Sequence, residues 1–336
     1  MEMTIETKVT DGLRKKWFEF VGRHPQGNIF QTPAMYEVYL STKKYEPVFL
    51  AVLDSQGQML AVLLAVIQKE SSGIMGYFSA RAIVQGGPLI RDDDPGVLDI
   101  ILGGFNRIVR RKAIYSQFRN FWDWSSLTPV FLSKGFEFEE HLNILIDLTK
   151  SEEQLWGEVH SKRRNEIRRA AREGVQFLIE TSEASLEKCY RLLKSLYSRI
   201  KLPIPNYQFF NKLFHMPGGP QLMMYTAQYE GEIIGCMLAL VYKDRIYDFY
   251  AGSKKEFYNK YPNDLIPWEV FKWGRENQIK IFDFGGAGKP GIPYGVRDYK
   301  KKFGGEFVNY GRLLRVNKPL LMKMGLMGMA IYRKIL

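Results

Sequence analysis

The apolar and polar positions of this chain repeat one pattern twice. Residues 56–67 (QGQMLAVLLAVI) and residues 230–241 (EGEIIGCMLALV) each begin with a glycine between two polar residues and continue as a long apolar run. A second β-prone run precedes each of them, at residues 48–53 and 223–228. A glycine-containing turn between two β-prone runs is typical of a β-hairpin. The pattern therefore predicts one hairpin in each half of the chain.

The elements expected after each hairpin also follow one order. A third strand, an amphipathic helix and a further strand come next, at residues 75–78, 97–113 and 114–120 in the first half and at residues 246–251, 265–277 and 280–284 in the second. Chance similarity of two generic hairpins is the alternative, but the matching order of the later elements favours a duplication. The order resembles the GNAT acyltransferase fold, in which a central strand splays from its neighbour and the acyl donor binds in the gap. The resemblance implies an α+β protein of two tandem GNAT-like domains.

A domain boundary is expected near the middle of the chain. Residues 143–148 (NILIDL) have the pattern of a strand that closes the first half, and Ser151 followed by two glutamates is typical of a helix start. We therefore predict a first domain over residues 1–149 and a second domain over residues 150–316. Residues 317–336 are rich in Leu and Met but interrupted by Lys and Arg. We expect them to pack back on the first domain, with a membrane surface as the alternative.

The net charge narrows the classes of partner. The 336-residue chain has 48 Lys and Arg against 36 Asp and Glu, a formal net charge of +12. This excess favours polyanionic partners, namely nucleic acid, nucleotide-linked substrates or an anionic membrane surface. A basic, solvated surface without a specific partner is the alternative.

The termini and the cysteines indicate the compartment. The N-terminal residues lack the apolar segment of a signal peptide, and no window has the length and purity of a membrane span. The two cysteines, Cys189 and Cys236, are too few for a disulfide framework. We therefore expect a cytoplasmic protein, with a peripheral position at the inner face of the membrane as the alternative.

A strongly basic helix is predicted at the start of the second half. Residues 160–173 (HSKRRNEIRRAARE) hold six Lys and Arg, and Arg164, Arg168 and Arg172 recur every four residues as one stripe. Arginine suits phosphate because its guanidinium group binds oxyanions through two parallel hydrogen bonds. A solvated face paired with the two glutamates of the same helix is the alternative.

A glycine-rich segment is the second candidate for chemistry. Seven glycines follow Asp283 within residues 281–305, and glycine is expected where the backbone approaches a ligand closely. The segment runs into a cationic cluster that begins at Arg297. It lacks the spacing GxxxxGK[ST] of a nucleotide-triphosphate loop. A surface loop without chemistry is the alternative.

Three motifs together resemble the Fem-type aminoacyltransferases: FQTP at residues 30–33, KRRNEIRRAAREGV at residues 162–175, and DFGG with YKKKFGG at residues 283–286 and 299–305. They are also similar to the neighbouring BioF-like GNAT acyltransferases. The resemblance extends from the region of Asn28 to the C-terminus. It implies transfer of an amino acid from aminoacyl-tRNA to the peptide stem of a peptidoglycan precursor.

The family's aromatic–Lys–x–x–Phe–Gly motif falls on Tyr299, Lys300, Phe303 and Gly304, although its first aromatic residue is usually Phe. The motif implies that Lys300 supplies positive charge near the reacting ester. Asp283 is the candidate base, or else an acid that orders the glycine-rich loop by hydrogen bonds. The side chains predicted to bind substrates are Gln31, Arg164, Arg168, Tyr250, Arg297, Tyr299 and Phe303.

No metal or cofactor is expected. The four histidines show no metal-ligand spacing. The turn Q/R-x-x-G-x-G/A, which cradles the pyrophosphate of acetyl-CoA in ordinary GNAT enzymes, is absent from YNKYPNDLIPW at residues 258–268. This argues against a conventional CoA site.

The sequence thus predicts an aminoacyltransferase that uses aminoacyl-tRNA as co-substrate and acts on an amine of a nucleotide- or lipid-linked envelope precursor. One alternative is an N-acyltransferase that depends on acyl-CoA or an acyl carrier and acts in envelope polysaccharide or lipid biosynthesis. Another alternative is a non-catalytic module that binds RNA or anionic lipid. We expect a monomer with at most weak peripheral contact with a membrane.

Overall fold

The computed structural model describes residues 3–70, 78–216 and 222–324. The chain divides into two compact units, one formed by Met1–Glu140 with Tyr310–Leu336 and the other by His141–Asn309. Each unit contains its own mixed sheet and its own hydrophobic core.

The elements up to the first unit boundary are, in chain order, β1 (Thr4–Glu6), α1 (Asp11–Arg23), α2 (Pro33–Leu40), β2 (Tyr45–Leu53), β3 (Met59–Gln68), β4 (Arg81–Gln85), β5 (Leu89–Ile90), α3 (Pro95–Val109), β6 (Tyr115–Arg119), α4 (Thr128–Ser133) and β7 (Glu137–Glu139). Short 3₁₀ helices lie at Ile29–Gln31 and Arg91–Asp93.

The remaining elements are β8 (Asn143–Asp147), α5 (Glu152–Glu158), α6 (Ser161–Arg172), β9 (Gln176–Glu180), α7 (Glu183–Arg199), α8 (Tyr207–Phe214), β10 (Leu222–Tyr229), β11 (Glu232–Tyr242), β12 (Arg245–Ser253), α9 (Pro262–Glu276), β13 (Ile281–Gly286), α10 (Gly295–Lys301), β14 (Glu306–Val308) and β15 (Arg312–Val316). A 3₁₀ helix at Lys255–Lys260 precedes α9.

The two sheets have the same strand order. The first reads β1-β2-β3-β4-β6-β15-β7, with β5 paired to β3, and the second reads β9-β10-β11-β12-β13-β8-β14. Neighbouring strands are antiparallel except for one parallel pair in each sheet, β4 with β6 and β12 with β13. The predicted duplication and the α+β class are therefore confirmed.

The hydrophobic cores of the two units also share a packing arrangement. In the first unit Phe105 of α3 meets Phe118 of β6 edge to face, with ring centroids 5.5 Å apart. In the second unit Phe271 of α9 meets Phe282 of β13 in the same way, at 5.0 Å. All four rings are fully buried. Burial of each contributes about 1.5–3 kcal/mol, so each sheet is held to one helix that crosses between its two parallel strands.

Two strands leave the half in which the sequence places them. β8 follows β7 in the chain, yet it pairs with β13 and β14 in the second sheet. β15 follows β14, yet it pairs with β6 and β7 in the first sheet. The sixth strand in the order of each sheet thus comes from a part of the chain beyond the consecutive elements that form the first five strands. The units consequently divide at His141 and Tyr310, whereas the sequence placed the boundaries at residues 150 and 317.

The third strand of the first half also differs from its predicted place. Residues 75–77 of the expected strand lie outside the described residues, and the strand that continues the sheet is β4, at Arg81–Gln85. No strand was predicted from sequence at residues 81–85. In the structure Gly86 and Pro88 follow the strand and end it, so they mark its boundary.

The start of the C-terminal segment contacts the first unit. The backbone N–H groups of Asn317 and Lys318 both donate to the carbonyl oxygen of Ile114. The helical turn that follows leaves Leu320 79% and Met324 63% exposed. The prediction that this segment packs back on the first domain depends mostly on residues 325–336, which lie outside the described residues.

Gln31 joins the strands of the first sheet. Its side chain is fully buried, donates to the carbonyl oxygens of Leu64 (3.0 Å) and Gln85 (2.9 Å), and accepts from the N–H of Leu64 (2.8 Å). Leu64 lies between the β3 residues that pair with β4 and those that pair with β5. The amide of Gln31 therefore supplies the hydrogen bonds that neither strand provides at this position.

We expect Gln31→Ala to lower the free energy of unfolding by about 3 kcal/mol or more, because it leaves three buried backbone groups without partners. Urea unfolding followed by circular dichroism measures the change. The exposed Gln56, substituted to Ala, is the matched control and should stay close to wild type. Equal midpoints for the two variants would contradict the bridging role.

Candidate active site in the second unit

The parallel strands of the second sheet separate after three residue pairs. β12 and β13 pair only at Arg245 with Ile281, Ile246 with Phe282 and Tyr247 with Asp283. The corresponding strands of the first sheet, β4 and β6, pair along all five residues. The second unit therefore contains the opening between central strands that the fold resemblance predicted. Residues that follow the last pair line this opening.

Asp248 is the first residue of β12 beyond the paired segment. On the other side of the strand, Leu238 of β11 pairs with Tyr250 and Ala239 pairs with Asp248, so Phe249 is an extra residue in a β-bulge. A bulge turns the neighbouring side chains and is common beside active sites. Asp248 is not among the site residues predicted from sequence. The available signal was a single carboxylate inside the otherwise aromatic and aliphatic strand RIYDFYAGS.

Lys300 of α10 fills the opening from the β13 side. Its Nζ atom donates to the carbonyl oxygens of Phe284 and Gly286, the latter at 3.1 Å. These carbonyls belong to the part of β13 that has lost β12 as a partner. The ammonium group thus takes the place of the missing strand's N–H groups, which explains why a lysine is held at this position.

The charges in the opening shift each other's pKa values. Burial raises the pKa of Asp248 to about 6, against the attraction of Lys300 and with a further increase from Asp283. Burial lowers the pKa of Lys300, and both carboxylates oppose that change. The site therefore combines a half-buried ammonium group with a half-buried carboxylate, Asp248, and a buried one, Asp283. Such an arrangement is typical of acid–base chemistry.

Asp283 orders the start of the glycine-rich loop. Its Oδ1 atom accepts the N–H of Gly285 at 2.7 Å, and its Oδ2 atom lies 3.7 Å from Arg245. Gly285 has φ of +70°, which favours glycine. Burial raises the pKa of Asp283, and Arg245 and the Gly285 hydrogen bond oppose it. Asp283 therefore orders this loop by a hydrogen bond, while its predicted role as a base stays a prediction.

Aromatic side chains surround the Asp248 side of the opening. The ring of Tyr250 lies 5.5 Å from Tyr197 of α7 and 5.1 Å from Phe210 of α8. Burial raises the pKa of Tyr197, and the nearby charge of Asp248 adds to the increase. Tyr250, a predicted substrate-binding residue, is thus part of the wall beside Asp248.

The two aromatic residues of the late motif hold α10 in place. The hydroxyl of Tyr299 donates to the carbonyl oxygen of Asn263, and Phe303 is buried in the core. The guanidinium of Arg163 lies 4.8 Å from the Tyr299 ring and also pairs with the buried Asp264. Both aromatic residues therefore fix the position of α10, the helix that carries Lys300.

The arginine stripe of α6 lies against α5. Arg164 donates to the carbonyl oxygens of Trp156 (3.1 Å) and Gly157 (3.5 Å) at the end of α5. Arg168 is exposed and lies over the Trp156 ring, 5.2 Å from its centroid. The predicted spacing is present, and in the structure the first two members of the stripe meet the same tryptophan.

Arg297 is bound to the loop that precedes it. Its guanidinium donates to the carbonyl oxygens of Ala287 (3.4 Å), Lys289 (2.7 Å) and Ile292. It therefore fixes the course of the glycine-rich loop. Gln31 belongs to the first unit, where its amide bridges strands as described above. Within the described residues, no group of three or more His, Cys, Asp or Glu is placed to hold a metal ion.

No helix in the described part of the chain is long and apolar enough to cross a membrane.

The raised pKa of Asp248 predicts a pH-dependent stability. Between the ordinary value of 3.8 and about 6, the unfolded chain releases this proton while the folded chain keeps it. The stability contributed by the neutral form is therefore present below pH 4 and is lost as the pH rises through 6. We expect Asp248→Asn to gain up to about 3 kcal/mol over wild type across this interval. Urea unfolding at intervals from pH 4 to 8 measures the difference.

The control for this experiment is Asp298→Asn, which removes an exposed carboxylate from α10. Its free energy of unfolding should follow the wild-type curve at every pH. If Asp248→Asn also ran parallel to wild type, Asp248 would titrate as an ordinary surface carboxylate.

Three comparisons with known proteins bear on this site. A profile of the acetyltransferase (GNAT) domain family matches residues 160–301, a span that contains Asp248, Asp283 and Lys300. The UDP-N-acetylmuramoylpentapeptide-lysine N(6)-alanyltransferase of Weissella viridescens is 20% identical over 291 residues, which cover 81% of this chain and 83% of that protein. FemX superposes with a TM-score of 0.72 at 15% identity and covers 96% of this chain and 99% of FemX.

A tandem GNAT protein from the clavulanic acid biosynthesis pathway superposes with a TM-score of 0.60 at 9% identity, over 94% of this chain and 99% of that chain. The two solved structures confirm the predicted tandem GNAT fold. The alanyltransferase and the GNAT profile confirm the resemblance that the three sequence motifs indicated. The chain is therefore an acyltransferase with two GNAT folds, related to the Fem-type aminoacyltransferases.

Proposed function

We propose that this enzyme transfers an amino acid from aminoacyl-tRNA to an amine of a peptidoglycan precursor or a related cell-envelope acceptor. The observation that carries the proposal is the ammonium group of Lys300, held by two backbone carbonyls beside the carboxylate of Asp248. The Weissella viridescens relative supports the acceptor class, since its name specifies a pentapeptide lysine as the residue that is alanylated.

The site supplies the charges that attack of an amine on an ester requires. The amine nitrogen forms a bond to the ester carbon, and a tetrahedral oxyanion results. A lysine ammonium group has three N–H donors. In Lys300, two of them donate to the carbonyl oxygens of Phe284 and Gly286. The third stabilises the oxyanion. The ester C–O bond then breaks, the proton lost by the attacking nitrogen passes to the leaving oxygen, and the ribose hydroxyl is released.

Asp248 is the proposed base for the acceptor. An amine nucleophile is protonated at neutral pH and must lose a proton before it attacks. A carboxylate with a pKa of about 6 is mostly ionised at pH 7 and still basic enough to take that proton. Asp283, whose Oδ1 atom is occupied by the Gly285 N–H, keeps the loop in register beside it.

The start of α9 favours an aminoacyl-tRNA donor over acyl-CoA. In ordinary GNAT enzymes backbone N–H groups before this helix bind the pyrophosphate. Here Pro262 has no N–H, and the N–H groups of Asp264 and Leu265 both donate to the carbonyl oxygen of Tyr261. The N–H groups of Phe257 and Tyr261 are also used within the 3₁₀ turn. These donors are therefore already engaged by the protein itself.

A donor assay tests the function directly. We expect transfer of a labelled amino acid from aminoacyl-tRNA to a pentapeptide precursor, and no transfer when aminoacyl-tRNA is replaced by acyl-CoA or omitted. Detection of the product by mass spectrometry measures each reaction. Activity with acyl-CoA alone would replace the proposal by the N-acyltransferase alternative.

Lys300→Ala should lower turnover on the order of 100- to 1,000-fold, the usual effect of removing one oxyanion donor. Single-turnover rates with saturating substrates measure the loss, and the unfolding midpoint verifies that the fold persists. The control is Lys301→Ala, which removes the exposed neighbouring lysine and should retain turnover. A rate within a few-fold of wild type for Lys300→Ala would remove this lysine from the mechanism.

A further inference from the structure

A second concave surface lies on the second unit, away from Lys300. It is a cleft of about 500 Å³ between one face of α7, the turn at Gly231 and the end of β12. We refer to it as the α7 cleft. None of the residues predicted from sequence to bind substrates lines it.

The α7 cleft is strongly cationic. Five Lys and Arg side chains line it against two glutamates, and three of the five, Lys188, Arg191 and Arg199, lie on α7. One of the two glutamates, Glu232, pairs with the lining Lys254, and Arg191 pairs with Glu187 of the same helix. A helix rises 1.5 Å per residue, so the three α7 cations form a row about 16 Å long. The remaining positive charge along this row therefore favours binding of an extended anion.

A buried hydroxyl group at the cleft also lacks a partner. Ser253, the last residue of β12, is 2% exposed, and its Oγ atom makes no hydrogen bond within the described residues. Ser253 lines the cleft. A buried hydroxyl without a partner is destabilising, and the partner it needs is one that enters the cleft. An anionic oxygen fits this need because it accepts a hydrogen bond from the hydroxyl group.

We propose that the α7 cleft binds the phosphodiester backbone of RNA and holds the donor while its ester end lies at Lys300. The proposal rests on the proposed function, which requires an RNA donor. The length of the cationic row favours a nucleic-acid strand, since it spans several consecutive phosphates, whereas a diphosphate has only two. Ser253 and Asp248 lie five residues apart on β12, or about 17 Å, which leaves room for a few unpaired nucleotides.

The binding test uses uncharged, fluorescently labelled tRNA, so that no transfer takes place. We expect Lys188→Glu/Lys255→Glu to weaken binding about tenfold or more and to reduce the slope of log Kd against log salt concentration. The matched control is Lys194→Glu/Lys212→Glu, which makes the same charge change at exposed lysines outside the cleft. Unchanged affinity in the cleft variant, or an equal loss in the control, would overturn the proposal.

Ser253→Ala separates a binding role from a structural one. Because the hydroxyl has no partner in the protein, its removal should leave the unfolding midpoint unchanged or raised. The affinity for tRNA should nevertheless fall several-fold. A lower midpoint with unchanged tRNA affinity would show that the hydroxyl serves the fold alone.

Competition with inorganic pyrophosphate and with UDP distinguishes an RNA site from a diphosphate site. If pyrophosphate or UDP saturated the cleft and unlabelled tRNA did not displace it, the proposal would be overturned. The outcome is separable from that of the donor assay. Binding of uncharged tRNA through the cleft without aminoacyl transfer would sustain this proposal and reject the proposed function. If Lys188→Glu/Lys255→Glu transferred the amino acid at the wild-type rate and bound tRNA with the wild-type affinity, the proposed function would stand and the cleft proposal would be rejected.

Discussion

The hydrogen bonds from the Lys300 ammonium group to the carbonyls of Phe284 and Gly286 are the interaction on which the second unit's site depends. β12 stops pairing with β13 after Tyr247, which leaves carbonyls without strand partners and would destabilise the sheet. The lysine satisfies them and thereby keeps the opening. One side chain thus serves the sheet and places a positive charge at the point where two strands part.

The surrounding contacts follow from this arrangement. A half-buried ammonium group is stabilised by nearby negative charge, and Asp248 and Asp283 supply it from the two separated strands. The motif's aromatic residues close the site from behind, with Tyr299 bound to Asn263 and Phe303 packed in the core. The aromatic residues of the motif are therefore explained by the contacts that hold a lysine at this position.

Local patterns were sufficient for the hairpins and the main helices, which depend on residues close in sequence, but not for the third strand of the first half, which is β4 at Arg81–Gln85. Asp248 was not found, because a carboxylate inside a strand gains significance only where the neighbouring strand departs. The spacing of Arg164 and Arg168 was read correctly as a stripe, but their contacts with Trp156 are tertiary. The sheet to which β8 and β15 belong is likewise decided by pairing over long separations, which a local pattern does not record.

The crossing of β8 and β15 has a consequence for synthesis on the ribosome. When the first 140 residues have emerged, β6 and β7 lack the strand that lies between them, and that strand is made some 170 residues later. Until then β6 presents an unpaired edge, a template for association with other chains. The first unit therefore completes its sheet only after the whole second unit has been synthesised. A nascent chain stalled before residue 312 is a species that chaperones have to protect.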